Sequence, residues 1–463
     1  MREFDERDSA SPRVALIGGG LAGLAAAAVL AQEGLNVELF EQRRWLGGRA
    51  GSFRDPQDGT LVDYCPHVWM GCCTNMADFC RRTDVSGSFR RHRQMHFVGP
   101  EGQHCQFAGA SWLPAPLDLL PAMAQLDFLT PGERRGIARA VFRLARSASG
   151  EGTIGAWLRG QGQSERMIQR FWSVVLVSAL GETVDRASWA AARKVFCDGL
   201  LASRYARDLY VPQSPLGEIF GRVGQWLMAR GAGIHCATRV RQIMGDARGA
   251  TAVLLPDGSQ WPLDFLVVAV PWRQVGRLFP PPLRAALPEL DEAEALQSAP
   301  ITCVHLWFDR PVTRLPHAVL VGRLSQWLFT AADGQYCQVV ISASHALRGR
   351  RQEDIVAEVC RELESIWPAA CQLALRRWRV VTQPAAVFSV TPESDRARPA
   401  QQTSLPNVFL AGDWTATGWP ATMEGAVRSG YLAAEAILRA VGVSRRILVP
   451  DLPRDWLARQ LVR

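Results

Sequence analysis

The run VALIGGGLAGLAAAAVLAQEGLNVELFEQ, residues 14–42, constrains the fold of this chain more than any other segment. A short apolar strand leads into a glycine turn, an alanine-rich helix and a second apolar strand, so the pattern predicts a βαβ unit. Gly18, Gly20 and Gly23 are spaced as G-x-G-x-x-G. The first allows a tight turn, the second lets a pyrophosphate approach the backbone, and the third lets the helix pack closely. The segment therefore predicts a dinucleotide site.

Glu41 follows the second strand, where a carboxylate accepts hydrogen bonds from ribose hydroxyls and repels the 2′-phosphate of NADP. Two further signals favour FAD over NAD. Gly48 and Arg49 belong to a second glycine turn, and Gly412–Asp413 ends another strand near the end of the chain. Because an extended FAD needs more polar anchors than one nucleotide half provides, we expect Arg49 and Asp413 to supply them. Taken alone, Arg49 is equally a surface charge, and Asp413 is equally a helix N-cap.

The length of 463 residues exceeds the size at which one hydrophobic core usually keeps growing, so we predict two domains. DFLVVAVP (264–271) is typical of a strand buried on both faces, and NVFLAGDW (407–414) predicts another strand of the same sheet. The predicted class is α/β, with a Rossmann-like FAD-binding domain interleaved with a mixed α+β substrate domain. The expected ranges are 12–89, 205–285 and 385–445 for the FAD-binding domain, 90–204 (mostly helical) and 286–384 for the substrate domain, and 446–463 for a C-terminal tail.

The formal charge of +8 comes almost wholly from arginine, since Lys194 is the only lysine. The arginines are spread along the chain, which favours solvated faces over a nucleic-acid site. The longest strongly apolar run, Leu21–Ala31, is shorter than the roughly 20 residues that a membrane-spanning helix needs. Residues 1–12 form a polar tail without the apolar region of a secretory signal, and the eleven irregularly spaced cysteines indicate reduced thiols. We therefore expect a cytoplasmic location.

Five motifs together resemble the amine oxidase and phytoene desaturase superfamily of flavoproteins: GGGLAG, GGRAGSF, ATRVRQI (237–243), DFLVVAVP and NVFLAGDW. The resemblance implies a glutathione-reductase-type fold with FAD as the cofactor. It also implies a set of cofactor-binding residues, in which Val240 would hold the adenine through its backbone. The set is Gly18, Gly20, Gly23, Glu41, Gly48, Arg49, Val240, Gly412, Asp413 and Met423.

Within that superfamily, residues 62–82 resemble the squalene-associated branch, the hydroxysqualene dehydroxylases. The similarity lies in Val62-Asp63, His67 and Met70-Gly71-Cys72, and the chain departs from the branch at Tyr64-Cys65-Pro66. The implied reaction is the reductive dehydroxylation of hydroxysqualene to squalene, a precursor of hopanoids and sterols, with electrons from an unidentified donor. Two other interpretations stay open: an oxidative carotenoid desaturase or amine oxidase of the same superfamily, and a non-enzymatic carrier of prenyl lipids.

The segment LVDYCPHVWMGCC, residues 61–73, is dense in reactive side chains. We expect no metal there, because structural zinc usually draws its ligands from two separated knuckles. A disulfide between Cys72 and Cys73 would strain the backbone. The segment is therefore an ordinary buried one, a wall of the flavin pocket, or a catalytic one. In the catalytic interpretation His67, oriented by Asp63, faces the substrate, and an imidazolium near neutral pH protonates the leaving hydroxyl.

Sixteen tryptophans against five tyrosines favour an apolar substrate pocket, although tryptophan is equally an ordinary core residue. The proline-broken apolar segment 113–128 precedes an arginine-rich helix, whose start is predicted by a capping box at Thr130 and Glu133. This region is either a peripheral patch on the inner face of the cytoplasmic membrane, through which a lipid substrate enters, or a helix docked on the core with a solvated arginine face.

Overall fold

The computed structural model describes residues 11–462, so Arg463 and most of the predicted polar tail lie outside the described residues. Its strands are β1 (Arg13–Ile17), β2 (Asn36–Phe40), β3 (Ser52–Arg54), β4 (Leu61–Asp63), β5 (Trp69–Met70), β6 (Phe89–His92), β7 (Met95–Val98), β8 (His104–Phe107), β9 (Leu209–Pro212), β10 (Gly233–His235), β11 (Gln242–Asp246), β12 (Gly249–Leu254), β13 (Gln260–Pro262), β14 (Phe265–Val268), β15 (Ser298–Phe308), β16 (His317–Leu320), β17 (Trp327–Thr330), β18 (Tyr336–Ser342), β19 (Leu375–Phe388) and β20 (Val408–Leu410).

The α-helices are α1 (Leu21–Gln32), α2 (Thr74–Arg82), α3 (Leu119–Ala124), α4 (Pro131–Arg146), α5 (Ile154–Gly160), α6 (Glu165–Met167), α7 (Ser173–Leu180), α8 (Trp189–Lys194), α9 (Leu216–Met228), α10 (Trp272–Val275), α11 (Pro281–Ala285), α12 (Glu289–Glu294), α13 (Gln352–Ile366), α14 (Met423–Ala440) and α15 (Trp456–Leu461). Two π-helical turns, Ile168–Trp172 and Val195–Leu200, continue α6 into α7 and extend α8. The predicted capping box at Thr130 and Glu133 is confirmed at the start of α4. None of the helices within residues 11–462 is long and apolar enough to cross a membrane.

A parallel sheet of five strands, in the order β10-β2-β1-β14-β20, carries the dinucleotide motif. Its strands come from three separate stretches of the chain, as the apolar patterns predicted. β14 lies between β1 and β20, and Leu266, Val267 and Val268 are fully buried. Both faces of this strand are covered, which is why its sequence is continuously apolar. The predicted α/β class is confirmed.

The glycine turn after β1 brings its own backbone into direct contact with the backbone of α1. Gly18 has φ +111°, a conformation that favours glycine. A Cβ atom at Gly23 would lie 2.0 Å from the carbonyl oxygen of Gly18. On the other side of α1, a Cβ atom at Gly430 of α14 would lie 2.2 Å from the carbonyl oxygen of Ala22. Both contacts therefore need glycine, and together they fix α1 between the sheet and α14.

A second sheet, in the order β19-β15-β18-β17-β16-β7-β8, lies in the part predicted as the substrate domain. Within residues 90–204, α3 to α8 lie between Leu119 and Lys194, and the short strands β6, β7 and β8 come before them. The reason is long-range pairing: β7 pairs in parallel with β16, where Phe97 faces Val319.

The predicted C-terminal tail contains a helix, α15, and Val462 is buried there. The domain boundaries themselves stay a prediction.

We predict that Gly23→Ala destabilises the protein by roughly 1–3 kcal/mol, the usual cost of overpacking, because the added carbon meets a backbone atom that cannot yield. Chemical denaturation measures the free energy of unfolding. Gly221→Ala is the matched control, because Gly221 also lies within a helix and has open space around it. There the added methyl should stabilise α9 by about 0.5–1 kcal/mol. Equal effects at the two positions would contradict the role given to the glycine turn.

Candidate active site

A cavity of about 1000 Å³ is lined by the carboxyl end of the parallel sheet, by strands of the second sheet and by helices that include α3, α4 and α7. Its wall contains nearly all the residues predicted to bind the cofactor. They are Gly18, Gly20, Glu41, Gly48, Arg49, Val240, Gly412, Asp413 and Met423. Gly23 lies behind them within α1. His67 is also on the wall.

The two glycine turns touch each other at the start of α1. Gly20 and Gly47 form a parallel β-bridge, and a Cβ atom at Gly48 would lie 3.0 Å from the Cα atom of Gly20. α1 begins without a side-chain cap, which leaves the amides of its first turn to a ligand. Glu41 is buried beside this turn and accepts hydrogen bonds of 2.8 Å from the amides of Gly19 and Arg43. An open helix N-terminus next to a fixed carboxylate fits the pyrophosphate and ribose of FAD.

Arg49 and Asp413, which are 364 residues apart in the sequence, form an ion pair on the cavity wall. Arg49 also donates a hydrogen bond of 2.8 Å to the carbonyl oxygen of Ala386. The sequence allowed Asp413 to be a helix N-cap, but it does not lie at a helix N-terminus. β20 ends at Leu410, and α14 begins only at Met423. The loop between them therefore presents Asp413 to the cavity.

Sequence reasoning missed the residue that holds this loop in place. The guanidinium of Arg398 is buried and donates hydrogen bonds to the carbonyl oxygens of Asp413, Thr415 and Trp419, at 3.1, 2.6 and 2.8 Å. Nothing in its sequence neighbourhood distinguishes Arg398 from the many solvated arginines. Its role depends on carbonyl groups brought together only by the fold.

Met423 and Glu424 begin α14, and both line the cavity. The fully buried carboxylate of Glu424 accepts hydrogen bonds from the amides of Asn75 and Met76, at 3.2 and 2.8 Å. These amides lie in the first turn of α2, so Glu424 supplies the cap that α2 lacks from its own sequence. Burial raises the pKa of Glu424. The position of α2, which follows the His67 segment, is thereby fixed to α14.

His67 lies in the loop between β4 and β5, with its Nδ1 atom 2.8 Å from the carbonyl oxygen of Cys65. Because a carbonyl only accepts, Nδ1 carries the proton and Nε2 is left for another partner. Burial lowers the pKa of His67 from its usual 6.5, and the charge of Arg49 lowers it further. The expected imidazolium near neutral pH is therefore corrected: the neutral ring is the favoured form.

Asp63 does not orient His67, and this part of the sequence interpretation was wrong. Its carboxyl accepts a hydrogen bond from the hydroxyl of Ser52 and one of 2.8 Å from the amide of Leu216, at the start of α9. Burial raises the pKa of Asp63 to about 6. β4 ends at Asp63 and Pro66 follows, so the alternation that would place both side chains on one face stops. Asp63 joins β3, β4 and α9 instead.

The wall away from the glycine turns is largely apolar, and both π-helical turns contribute to it. Its apolar side chains include Phe97, Phe107, Leu119, Met123, Ile137, Val141, Phe171, Val174, Phe196, Leu200, Trp327 and Phe329. Three carboxylates reach the wall, and each already has partners: Glu41 holds amides, Asp413 pairs with Arg49, and Glu424 caps α2. The cavity therefore joins a polar part beside the two glycine turns to a hydrocarbon-lined part, with His67 on the same wall.

Comparison with known proteins agrees with this geometry. Residues 21–438 match the family described as flavin containing amine oxidoreductase. The 15-cis-phytoene desaturase of Synechococcus elongatus is 27% identical over 92% of this chain and 96% of its own length. The hydroxysqualene dehydroxylase of Rhodopseudomonas palustris is 29% identical over 93% of this chain and 99% of its own length. Among solved structures, cyclohexylamine oxidase from Brevibacterium oxydans has a TM-score of 0.70 at 17% identity, covering 93% of this chain and 100% of that one.

The family match begins at the first residue of α1 and ends near the end of α14, so it includes Arg49, Asp413 and every strand of the parallel sheet except β1. The chain belongs to the flavin containing amine oxidoreductases, and its cofactor is FAD.

Proposed function

We propose that this flavoenzyme acts on a long isoprenoid, and that its reaction is the reductive dehydroxylation of hydroxysqualene to squalene. The observation that carries the proposal is a hydrocarbon-lined cavity whose wall also holds Arg49, Asp413 and one imidazole, that of His67. Similarity to the hydroxysqualene dehydroxylase of Rhodopseudomonas palustris supports it.

The state of the wall carboxylates argues against an amine substrate. A cationic amine in a site that is poor in water is held most favourably by an anionic partner. Glu41, Asp413 and Glu424 are already engaged, and breaking any of these bonds would leave another buried group without a partner. A neutral hydrocarbon with a single hydroxyl makes no such demand.

FAD would be held by residues from all three stretches of the parallel sheet. Gly18 and Gly20 would admit the pyrophosphate at the N-terminus of α1, Glu41 would accept hydrogen bonds from the ribose, and Val240 would hold the adenine through its backbone. Arg49 and Asp413, together with Gly48, Gly412 and Met423, would bind the rest of the cofactor. When bound and reduced, the flavin supplies a hydride.

His67 would deliver the proton that the leaving hydroxyl needs. Its Nδ1–H bond to the Cys65 carbonyl fixes the ring, and Nε2 can then hold a proton toward the substrate oxygen. A lowered pKa makes the imidazolium scarce at neutral pH but also makes it a stronger acid. The apolar wall excludes water, which would otherwise capture the allylic cation left by the departing hydroxyl.

The same lowered pKa favours a second candidate function, the oxidative desaturation of a carotenoid precursor. In that direction a neutral imidazole accepts a proton while hydride leaves the substrate, and neutral His67 is ready to do so. Similarity to the 15-cis-phytoene desaturase of Synechococcus elongatus supports this alternative. Dehydroxylation needs His67 to be protonated, whereas desaturation needs it to be neutral.

Anaerobic turnover of hydroxysqualene by the chemically reduced enzyme tests the proposal, with squalene measured by gas chromatography. We expect kcat/KM to fall about tenfold per pH unit as the pH rises above the pKa of His67, because the proton donor is lost. His67→Gln should lower kcat/KM by roughly 10²–10⁴-fold. His345→Gln, which changes a histidine away from the cavity wall, is the control.

Formation of squalene with no dependence on His67 would remove that residue from the mechanism. If squalene is absent, and the oxidised enzyme desaturates phytoene at a rate that rises with pH, the second candidate is correct instead.

We also propose that the substrate enters from a membrane surface near α3 and α4. α4 docks on the core through Ile137 and Leu144, yet it also presents exposed Arg139 and Arg143. Large apolar side chains are exposed in the same region, with Trp112 at 76%, Leu120 at 53% and Phe142 at 48%. Leu120 and Phe142 also line the cavity, which makes this region its mouth. Apolar side chains beside arginines suit the interface of an anionic bilayer.

Co-sedimentation with vesicles that contain anionic lipid tests the membrane proposal. Phe142→Asp should lower binding roughly tenfold, since one large apolar side chain is lost from the interface and a negative charge is added. Met228→Asp is the matched control, because Met228 is 53% exposed on α9. Equal binding by both variants and the wild type would contradict a membrane contact at this mouth.

A further inference from the structure

Residues from the predicted C-terminal tail form part of the cavity wall. Leu461 and Val462 line the cavity. Val462 is 3% exposed and packs with Ala145 of α4 and with Cys197 and Leu201. The last residues that the structure describes therefore close the hydrocarbon-lined part of the cavity.

The chain just before this point is firmly attached. Glu435 accepts hydrogen bonds from the amides of Ile447 and Leu448, at 2.6 and 2.7 Å. The side chain of Asn75 makes two hydrogen bonds with the backbone of Val449, at 2.9 and 3.0 Å.

Asp451 is the last of these anchors. It pairs with Lys194 at 3.1 Å and with Arg428 at 2.7 Å, and it accepts a hydrogen bond of 3.0 Å from the indole of Trp419. The chain is thus fixed as far as Asp451 by several elements at once.

The attachment beyond Asp451 is much weaker. The amide of Asp455 donates to the carbonyl oxygen of Ala202 at 2.8 Å, and Arg454 pairs with Asp198 at 3.1 Å. α15 has six residues and no side-chain cap, so it is too short to be stable on its own. Trp456 of this helix is 58% exposed. Within residues 452–462 only Ala458 and Val462 are buried, and a short segment with so few buried side chains opens locally at low free-energy cost.

We propose that residues 452–462 form a flap that pivots at Asp451 and opens to admit a long isoprenoid into the cavity. This inference rests on the proposed substrate class. Trp456 and Tyr205 line a surface pocket together with Pro114, so the flap borders the segment that leads to the proposed membrane mouth. Closing the flap restores Leu461 and Val462 to the wall and excludes water from the site.

Arg454 offers a direct test on the flavin-loaded full-length protein. Arg454→Gln removes the ion pair with Asp198. In this pair the side chain of Arg454 is 29% exposed and that of Asp198 is 23% exposed. We expect the open population to rise about fivefold, as for the loss of a partly exposed pair. Arg459→Gln changes an exposed arginine of the same helix and is the matched control. Val462→Ser should open the flap by loss of apolar burial and so checks the result without a change of charge.

Two measurements are read together. Hydrogen exchange followed by mass spectrometry reports opening of residues 452–462, and squalene binding followed by the flavin spectrum in stopped flow reports entry. We expect the flap amides to exchange faster than those of α14 and to be protected when squalene binds. In Arg454→Gln and Val462→Ser these amides should exchange faster still. The squalene association rates of both variants should rise by a similar factor.

The flap is overturned if squalene binds but residues 452–462 exchange as slowly as α14, or if Arg454→Gln and Val462→Ser leave the association rate unchanged. If the flap amides exchange rapidly and respond to both variants while squalene fails to bind, the moving wall is supported and the proposed substrate is wrong.

Discussion

The close approach of backbone to backbone around α1 is the constraint on which the rest of the structure depends. With no Cβ atom at Gly23 or Gly430, α1 lies directly on the glycine turn on one side and on α14 on the other. α14 is thereby held over the N-terminal βαβ unit, and the loop before it carries Asp413 to Arg49. The meeting of Arg49 and Asp413 on the cavity wall depends on that packing.

Burial governs the chemistry of the cavity because charges are costly where water is scarce. Arg49 and Asp413 satisfy each other, Glu41 and Glu424 hold backbone amides, and His67 is left as a neutral ring. The wall thus offers one imidazole beside a large hydrocarbon surface. His67 would donate a proton in the dehydroxylation and accept one in the desaturation, and this difference separates the two candidate reactions.

Local patterns allowed accurate prediction from the sequence. The βαβ unit, the buried strand at 265–268 and the capping box of α4 each depend on residues close together in the chain, and all three are confirmed. The predictions that failed, and the features that sequence reasoning missed, depend on distant partners. Asp63 bonds to Leu216 rather than to His67, and the pairing of β7 with β16 decides the structure at 95–98. Arg398 and the C-terminal flap act through contacts that no local spacing encodes.

The interleaving of the parallel sheet has a consequence for how the protein is made. β14 has no partner on one side until β20, residues 408–410, has been synthesised. The N-terminus leaves the ribosome first. For most of translation the sheet therefore keeps an unpaired edge, and the apolar face of α1 stays uncovered. The pairing of Arg49 with Asp413 therefore forms only after β20 and the loop that follows it have emerged.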